Sequence, residues 1–280
     1  LVISSSSRLH HVPESIGKLK ALTFLEISHC ASLKKLPMAM AKLKALKSLK
    51  FIACVKLQEL PEKVIASWQG LQILHMKQSL PVIKDVSKLT ALEELALSSL
   101  GLYSSSPTAV YKALIASTSS LPALKTLAVI DKLEDRVSCP PRGEVEVPFC
   151  SSLKKIHLEA GSISLPAEMV NQLDDVLIRC GCDYKDSFSI EPLSGPGSIR
   201  ITFDNHHPYY ASGSTSLEDL PVAFVCTSKW VVKELKLRRR PALRVLHESL
   251  RGLTELQVLH LEECGQAAML ESLCECKTMP

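Results

Sequence analysis

Residues 22–30 read Leu22-Thr23-Phe24-Leu25-Glu26-Ile27-Ser28-His29-Cys30, and residues 46–54 read Leu46-Lys47-Ser48-Leu49-Lys50-Phe51-Ile52-Ala53-Cys54. Both follow L-x-x-L-x-L-x-x-C, with bulky apolar residues at the L places, and they stand 24 residues apart. The frame recurs from Leu71 (Leu74, Met76), Leu92 (Leu95, Leu97), Leu124 (Leu127, Val129), Leu153 (Ile156, Leu158), Val232 (Leu235, Leu237) and Leu256 (Leu259, Leu261, Cys264). Leu1-Val2-Ile3 fits the back half of one more, since Ile3 precedes Ile27 by 24 residues. Self-similarity at a period of roughly 20–50 residues marks stacked repeats. Apolar residues alternating in L-x-L point to one side of a short strand, so each unit predicts one strand whose inward residues build a shared core.

The rest of the unit is equally regular. Leu9, Val12-Pro13, Ile16 and Leu19 are followed by Leu33, Leu36-Pro37, Met40 and Leu43, then by Leu57, Leu60-Pro61, Val64 and Trp68. Leu243, Leu246, Leu250, Leu253 and Leu256 repeat the spacing, with His247 in the place of Pro. Pro lacks a backbone donor and interrupts a helix, so the leg that returns the chain to the next strand is expected to be irregular or a short helical turn. Stacked coils then pair their strands into a parallel sheet at about 4.8 Å per repeat.

This pattern resembles the leucine-rich-repeat family. The L-x-x-L-P-x-x-[IVM] leg, with C-x-x-L after the strand, looks most like the repeats of plant nucleotide-binding disease resistance proteins. The resemblance covers residues 1 to about 178 and about 230 to 273. It implies an α/β fold: a solenoid, or horseshoe, with a parallel β-sheet on the concave face and irregular or short helical convex legs. The array would run through 1–280 as about ten repeats cut at both ends, since the chain begins with Leu1 and neither end shows a polar cap. The function it implies is recognition of a pathogen or host protein and autoinhibition of an in-cis nucleotide-binding domain. Repeats of a ubiquitin-ligase adaptor or a signalling scaffold are the alternative.

Composition bounds the rest. There are 45 Leu but 13 aromatic residues in 280, so the core must be aliphatic. The net charge of +4 is too mild to argue for nucleic acid. No run reaches the roughly 18–20 apolar residues of a membrane span. Ten Cys are sparse for a disulfide scaffold and Asn171 and Asn205 lie in no sequon, so the expected setting is the cytoplasm, with the nucleus as a second possibility and the thiols reduced. Cys30, Cys54 and Cys264 are expected to form a structural ladder, donating to a neighbouring coil. Cys180-Gly-Cys182 and Cys274-Glu-Cys276 lack the C-x-x-C spacing of zinc knuckles, and Cys139 and Cys150 are read as thiols. No phosphate-binding loop, H-E-x-x-H or G-x-S-x-G motif occurs, so no catalytic residue, metal ligand or cofactor is assigned and no enzyme is expected.

Recognition is assigned to side chains beside the inward rungs, which face the concave side: Phe24, Glu26, Lys50, Ile52, Ile73, His75, Lys77, Glu94, Lys155, His157, Glu159, Lys236, Arg238, His260 and Glu262. Ile130 and Val258 add exposed apolar positions. Mixed charge with scattered apolar groups suits a protein partner better than phosphates. Residues 1–130 carry 16 Lys or Arg against 7 Asp or Glu, whereas the remainder carries 17 against 22. Lys18, Lys20, Lys34, Lys35, Lys42, Lys44 and Lys47 lie mainly off the concave columns, as a solvated flank or a docking surface for an acidic domain. The pattern loosens at 131–150 and 183–229, read as loop-rich insertions or degenerate repeats, with weak frames at Leu173-Val176-Ile178 and Ile199-Ile201-Phe203.

Overall fold

The computed structural model describes residues 1–58, 60–77, 83, 85–98, 107–129, 144–160, 162–181, 186–194, 197–205, 230–238 and 253–264. Every apolar frame becomes a strand. The strands are β1 (Val2–Ser4), β2 (Phe24–Ser28), β3 (Ser48–Ile52), β4 (Ile73–Lys77), β5 (Glu94–Ser98), β6 (Thr126–Val129) and β7 (Glu144–Glu146). They continue with β8 (Lys155–Ala160), β9 (Ser162–Ser164), β10 (Asp175–Gly181), β11 (Asp186–Pro192), β12 (Ser198–Asn205), β13 (Val231–Arg238) and β14 (Val258–Glu262). Twelve form one open sheet in the order β1-β2-β3-β4-β5-β6-β8-β10-β11-β12-β13-β14, and β7 pairs with β9 apart from it.

The repeat sets the register. Ile3 pairs with Ile27, Leu25 with Leu49, Leu49 with Leu74, Leu74 with Leu95, Leu95 with Leu127, Leu127 with Ile156 and Ile156 with Val176. From Leu25 to Val176 these rungs are fully buried. Equivalent residues thus stack as one continuous aliphatic core that no single coil could enclose.

The return legs turn where the prolines stand. Pro13 and Pro37 precede short 3-10 turns, Glu14–Lys18 and Met38–Lys42, while Pro61 and Pro166 precede helices α1 (Glu62–Ile65) and α3 (Ala167–Val170). The proline carbonyl accepts the first turn bond, from Ile16, Met40, Val64 or Met169. The donor that proline lacks is one a helical start leaves unpaired, so the substitution is harmless there. A longer helix, α2 (Pro107–Ala116), lies in the leg between β5 and β6.

One expectation is corrected. The sheet is parallel except at β11, which runs antiparallel to both β10 and β12. Only residues 182–185 link β10 to β11, whereas a parallel crossover needs about a dozen or more. A reversed strand therefore stands where a coil would have been, inside the segment read as loops or degenerate repeats. Residues 131–143, 206–229, Cys274 and Cys276 lie outside the described residues, as do Ile130, Cys139, Cys182 and His247.

Strands end by a shared device. Ser5, His29, Ala53 and Glu263 adopt positive φ, near 53°, 54°, 52° and 56°, turning the chain out of the sheet. The amides of Ser5, His29 and Ala53 donate to the last strand residue of the next coil, Ser28, Ile52 and Lys77. The residue after each turn donates back: Ser6 Oγ to Ser4 O, Cys30 Sγ to Ser28 O, Cys54 Sγ to Ile52 O and Cys264 Sγ to Glu262 O. Cys54 and Cys264 also reach the preceding coil, at Ile27 O and Leu237 O, each at 3.4 Å. A non-glycine residue in this region is strained by roughly 1–2 kcal/mol, and glycine's added freedom when unfolded offsets roughly 0.4–1. Ala53→Gly is therefore expected to stabilise the protein by about 0.5–1 kcal/mol, seen as a raised Tm; a lowered Tm would show that the Ala53 methyl packs usefully.

Candidate recognition face

Alternation along β2–β6, β8, β13 and β14 puts the rungs inside and the intervening side chains on the opposite face. The floor of that face is formed by small residues: Ser28, Ser48, Ser98, Ala96 and Ala128 are buried there. Their longer neighbours overhang them. Phe24 and Ile73 flank Ser48 in register, and Lys50 lies between Glu26 and His75. As a result Phe24, Ile52, Ile73 and Val258 are half-buried, not exposed as isolated strand positions would be. The Ser48 hydroxyl is buried without a hydrogen-bond partner among the described residues. Lys50 Nζ lies 5.8 Å from the Phe24 ring centroid, a cation over a ring face.

Most charged side chains on this face pair across strands. His75 Nε2 and Glu94 Oε1 are 2.7 Å apart. Asp175 Oδ2 gathers His157 at 3.4 Å and Lys155 at 3.8 Å. Arg200 donates from Nε and Nη2 to Glu234 Oε2, at 2.7 and 2.6 Å, with Glu191 at 3.7 Å from Nη1. Arg238 Nε donates to Glu262 at 2.7 Å. The assigned residues His75, Glu94, Lys155, His157, Arg238 and Glu262 are thus brought into sheet-spanning pairs. Glu26, Lys236 and the exposed His260 form no ion pair among the described residues, Lys77 is exposed, and the side chain of Glu159 lies outside them.

Asp175, Glu191 and Arg200 join the face without having been assigned to it. Asp175 precedes the buried Val176 and Arg200 the buried Ile201, so the weak frames at 173–178 and 199–203 held the signal for these two, whereas Glu191, the register partner of Arg200 on β11, lies in neither.

Burial lowers the pKa of His75; Glu94 opposes this by hydrogen bond and charge, and Lys50 and Lys77 reinforce it. The unfolded chain, at an ordinary value of about 6.5, therefore binds this proton before the folded chain does as pH falls. The contribution of His75 is complete above the unfolded pKa and declines below it until the folded pKa is passed. His75→Gln is expected to flatten this part of the stability profile, as read by urea denaturation between neutral and mildly acidic pH; an unaltered slope would exclude His75 as its source. Burial also raises the Cys54 thiol, which keeps it a donor in the ladder.

Among the described residues no group of three or more His, Cys, Asp or Glu converges to hold a metal ion, and no helix is long and apolar enough to cross a membrane. The face offers shape, charge and apolar area for binding.

A family model described as a leucine-rich repeat region matches residues 1–176. No curated protein matches the chain in sequence. Similar solved structures include an internalin from Listeria monocytogenes, 16% identical, covering 96% of this chain and 76% of that one, with a TM-score of 0.41. A Leptospira interrogans protein of the same repeat type is 14% identical over 98% of this chain and 81% of its own, with a TM-score of 0.33. TLR13 in complex with ssRNA13 is 14% identical over 94% of this chain and 39% of its own, with a TM-score of 0.44. These likenesses concern the fold.

Proposed function

The chain belongs to the leucine-rich-repeat family, and from that premise we propose that it is a protein-recognition module whose partner is read on the concave face. Repeats of this kind serve protein interaction without chemistry of their own. The finer reading is that of an intracellular, plant-type immune receptor, in which the repeats bind a pathogen or host protein and hold a nucleotide-binding domain inactive. The L-x-x-L-P legs and the Cys that follows the strand support it. Buried thiols used as donors suit a reducing compartment, hence the cytoplasm.

The observation that carries the reading is the strip on β2–β4, where Phe24 and Ile73 flank Ser48 in one row, Lys50 pairs with His75 in the next and Ile52 stands in the third. Apolar groups ringed by charge supply the partly desolvated anchors and polar rim of a protein interface. A photo-crosslinking residue placed at Lys50 or His75 in plant cells is expected to capture a protein partner, whereas one at Lys63, exposed on α1, is not. Adducts from Lys63 alone would refute the concave assignment, and adducts to a ubiquitin-ligase subunit would replace the receptor by the adaptor.

A further inference from the structure

Two return legs end almost identically, in Gly17-Lys18-Leu19-Lys20-Ala21-Leu22 and Ala41-Lys42-Leu43-Lys44-Ala45-Leu46. In each the central Leu forms an inverse γ-turn, with φ −79° and ψ 60° at Leu19 and φ −80° and ψ 64° at Leu43. Lys20 N donates to Lys18 O at 2.9 Å, and Lys44 N to Lys42 O at 3.0 Å. Leu43 is fully buried, while Lys18, Lys20, Lys42 and Lys44 are exposed, as is Lys47 where the chain enters β3.

Stacking places the two turns one coil apart, at the entries of strands that lie about 4.8 Å from one another. None of these five lysines meets a carboxylate among the described residues; Lys44 Nζ reaches only the Ser67 carbonyl, at 3.4 Å. Residues 8–47 hold eight Lys or Arg against Glu14 and Glu26, and the Glu14 carboxylate accepts from Ala39 N at 3.1 Å. Packing does not require lysine here, because the next coil has Ser67-Trp68-Gln69 in the same place. Like charges on adjacent turns repel, weakly in water, and no carboxylate among the described residues pairs with them.

We propose that the stacked Lys-Leu-Lys turns are a docking site, separate from the concave face, for an acidic helix of a partner protein. Residues three or four apart on a helix stand about 5–6 Å apart, close to the coil spacing, whereas alternate residues of a strand stand roughly 6.6–6.8 Å apart. Carboxylates fit better than phosphates. The amides of Lys20 and Lys44 are already donated within the turns, and neither turn segment, 17–22 or 41–46, contains an Arg or an aromatic residue, so neither supplies the donors and rings that usually cradle or stack nucleic acid.

The test uses the full chain and a labelled helical peptide bearing Glu along one face, titrated by fluorescence anisotropy. The variant K18Q/K20Q/K42Q/K44Q is expected to bind about tenfold more weakly or worse, while K34Q/K35Q/K56Q/K63Q, with the same change in net charge, stays near wild type. A peptide of the same composition with Glu dispersed around the helix is expected to bind more weakly than the one-faced peptide. Equal loss in both variants, equal binding of the dispersed peptide, or tighter binding of a short oligouridylate would each overturn the proposal. All eight substituted side chains are exposed, and Tm for the first variant is expected at or above wild type. Should it fail to fold, the pairs K18Q/K42Q and K20Q/K44Q carry the same criterion.

Discussion

Leu49→Ala is expected to destabilise the protein by about 3–5 kcal/mol, the upper part of the range for a buried Leu truncation. Leu49 is fully buried on β3, between Leu25 and Leu74 in register, so its cavity is walled by rungs on both sides and cannot collapse easily. In an array each coil leans only on its neighbours, and a weakened interior coil loosens both interfaces. Leu259 holds the equivalent rung position on β14 but is half-buried, with β14 the last strand of the described sheet. Leu259→Ala is therefore expected to cost less than half as much. Urea denaturation of the two variants decides it; equal losses would mean that position in the array does not set the energetics.

The period itself made the fold legible. Once Leu25 and Leu49 are seen at one spacing, their pairing and shared burial follow from stacking, and the rungs at Leu74, Leu95, Leu127 and Ile156 follow in turn. β11 was not legible by that route, because it obeys no repeat. Its direction is imposed by the shortness of the link from β10, although Ser187-Phe188-Ser189-Ile190 does alternate as a strand should. Helix α2 lay in a leg of unusual length, where the run Ala109-Val110-Tyr111-Lys112-Ala113-Leu114-Ile115 was available as a signal. The left-handed turns at Ala53 and Glu263 had none, since these residue types carry no preference for positive φ and only the sheet forces it; His29 alone belongs to a type enriched there.

The concave columns were readable for the same reason as the rungs, alternation, but the pairings within them were not. Glu94 meets His75 although its register partner is Ile73, a diagonal contact that depends on how two legs of unequal length bring their strands together. That contact also changes which substitutions are informative. Replacing His75 by Glu would set two carboxylates together and disturb the sheet, so loss of binding in such a variant would say little about the partner. Substitution of Phe24, an uncharged side chain whose ring lies under the Lys50 ammonium, probes the face more cleanly.

The second large effect concerns Trp68, which stands where Leu19, Leu43 and Leu89 stand in other coils. It is fully buried, and its indole Nε1 donates to Met40 O at 3.0 Å, tying the third coil to the second. Hydrogen bonding and packing compete in setting its worth. Met40 O also accepts from Leu43 N at 3.1 Å, so losing the indole leaves that carbonyl half-satisfied, a penalty near the lower end of about 1–3 kcal/mol. The volume removed by truncation is worth more, about 3–5 kcal/mol for a buried aromatic cut to Ala. Packing therefore wins: Trp68→Ala is expected to lose about 3–5 kcal/mol, and Trp68→Phe, which keeps most of the volume, about 1–2. Similar losses in the two would mean that the hydrogen bond outweighs the packing. Each variant leaves Trp230 as the sole indole, buried far along the array with its Nε1 on Val170 O, so its fluorescence reports the distant coils. If the array unfolds as one unit, the Trp230 transition shifts as far as the circular dichroism transition does. If coupling runs only between neighbours, it shifts less, and the extent of cooperativity along the sheet is measured by the difference.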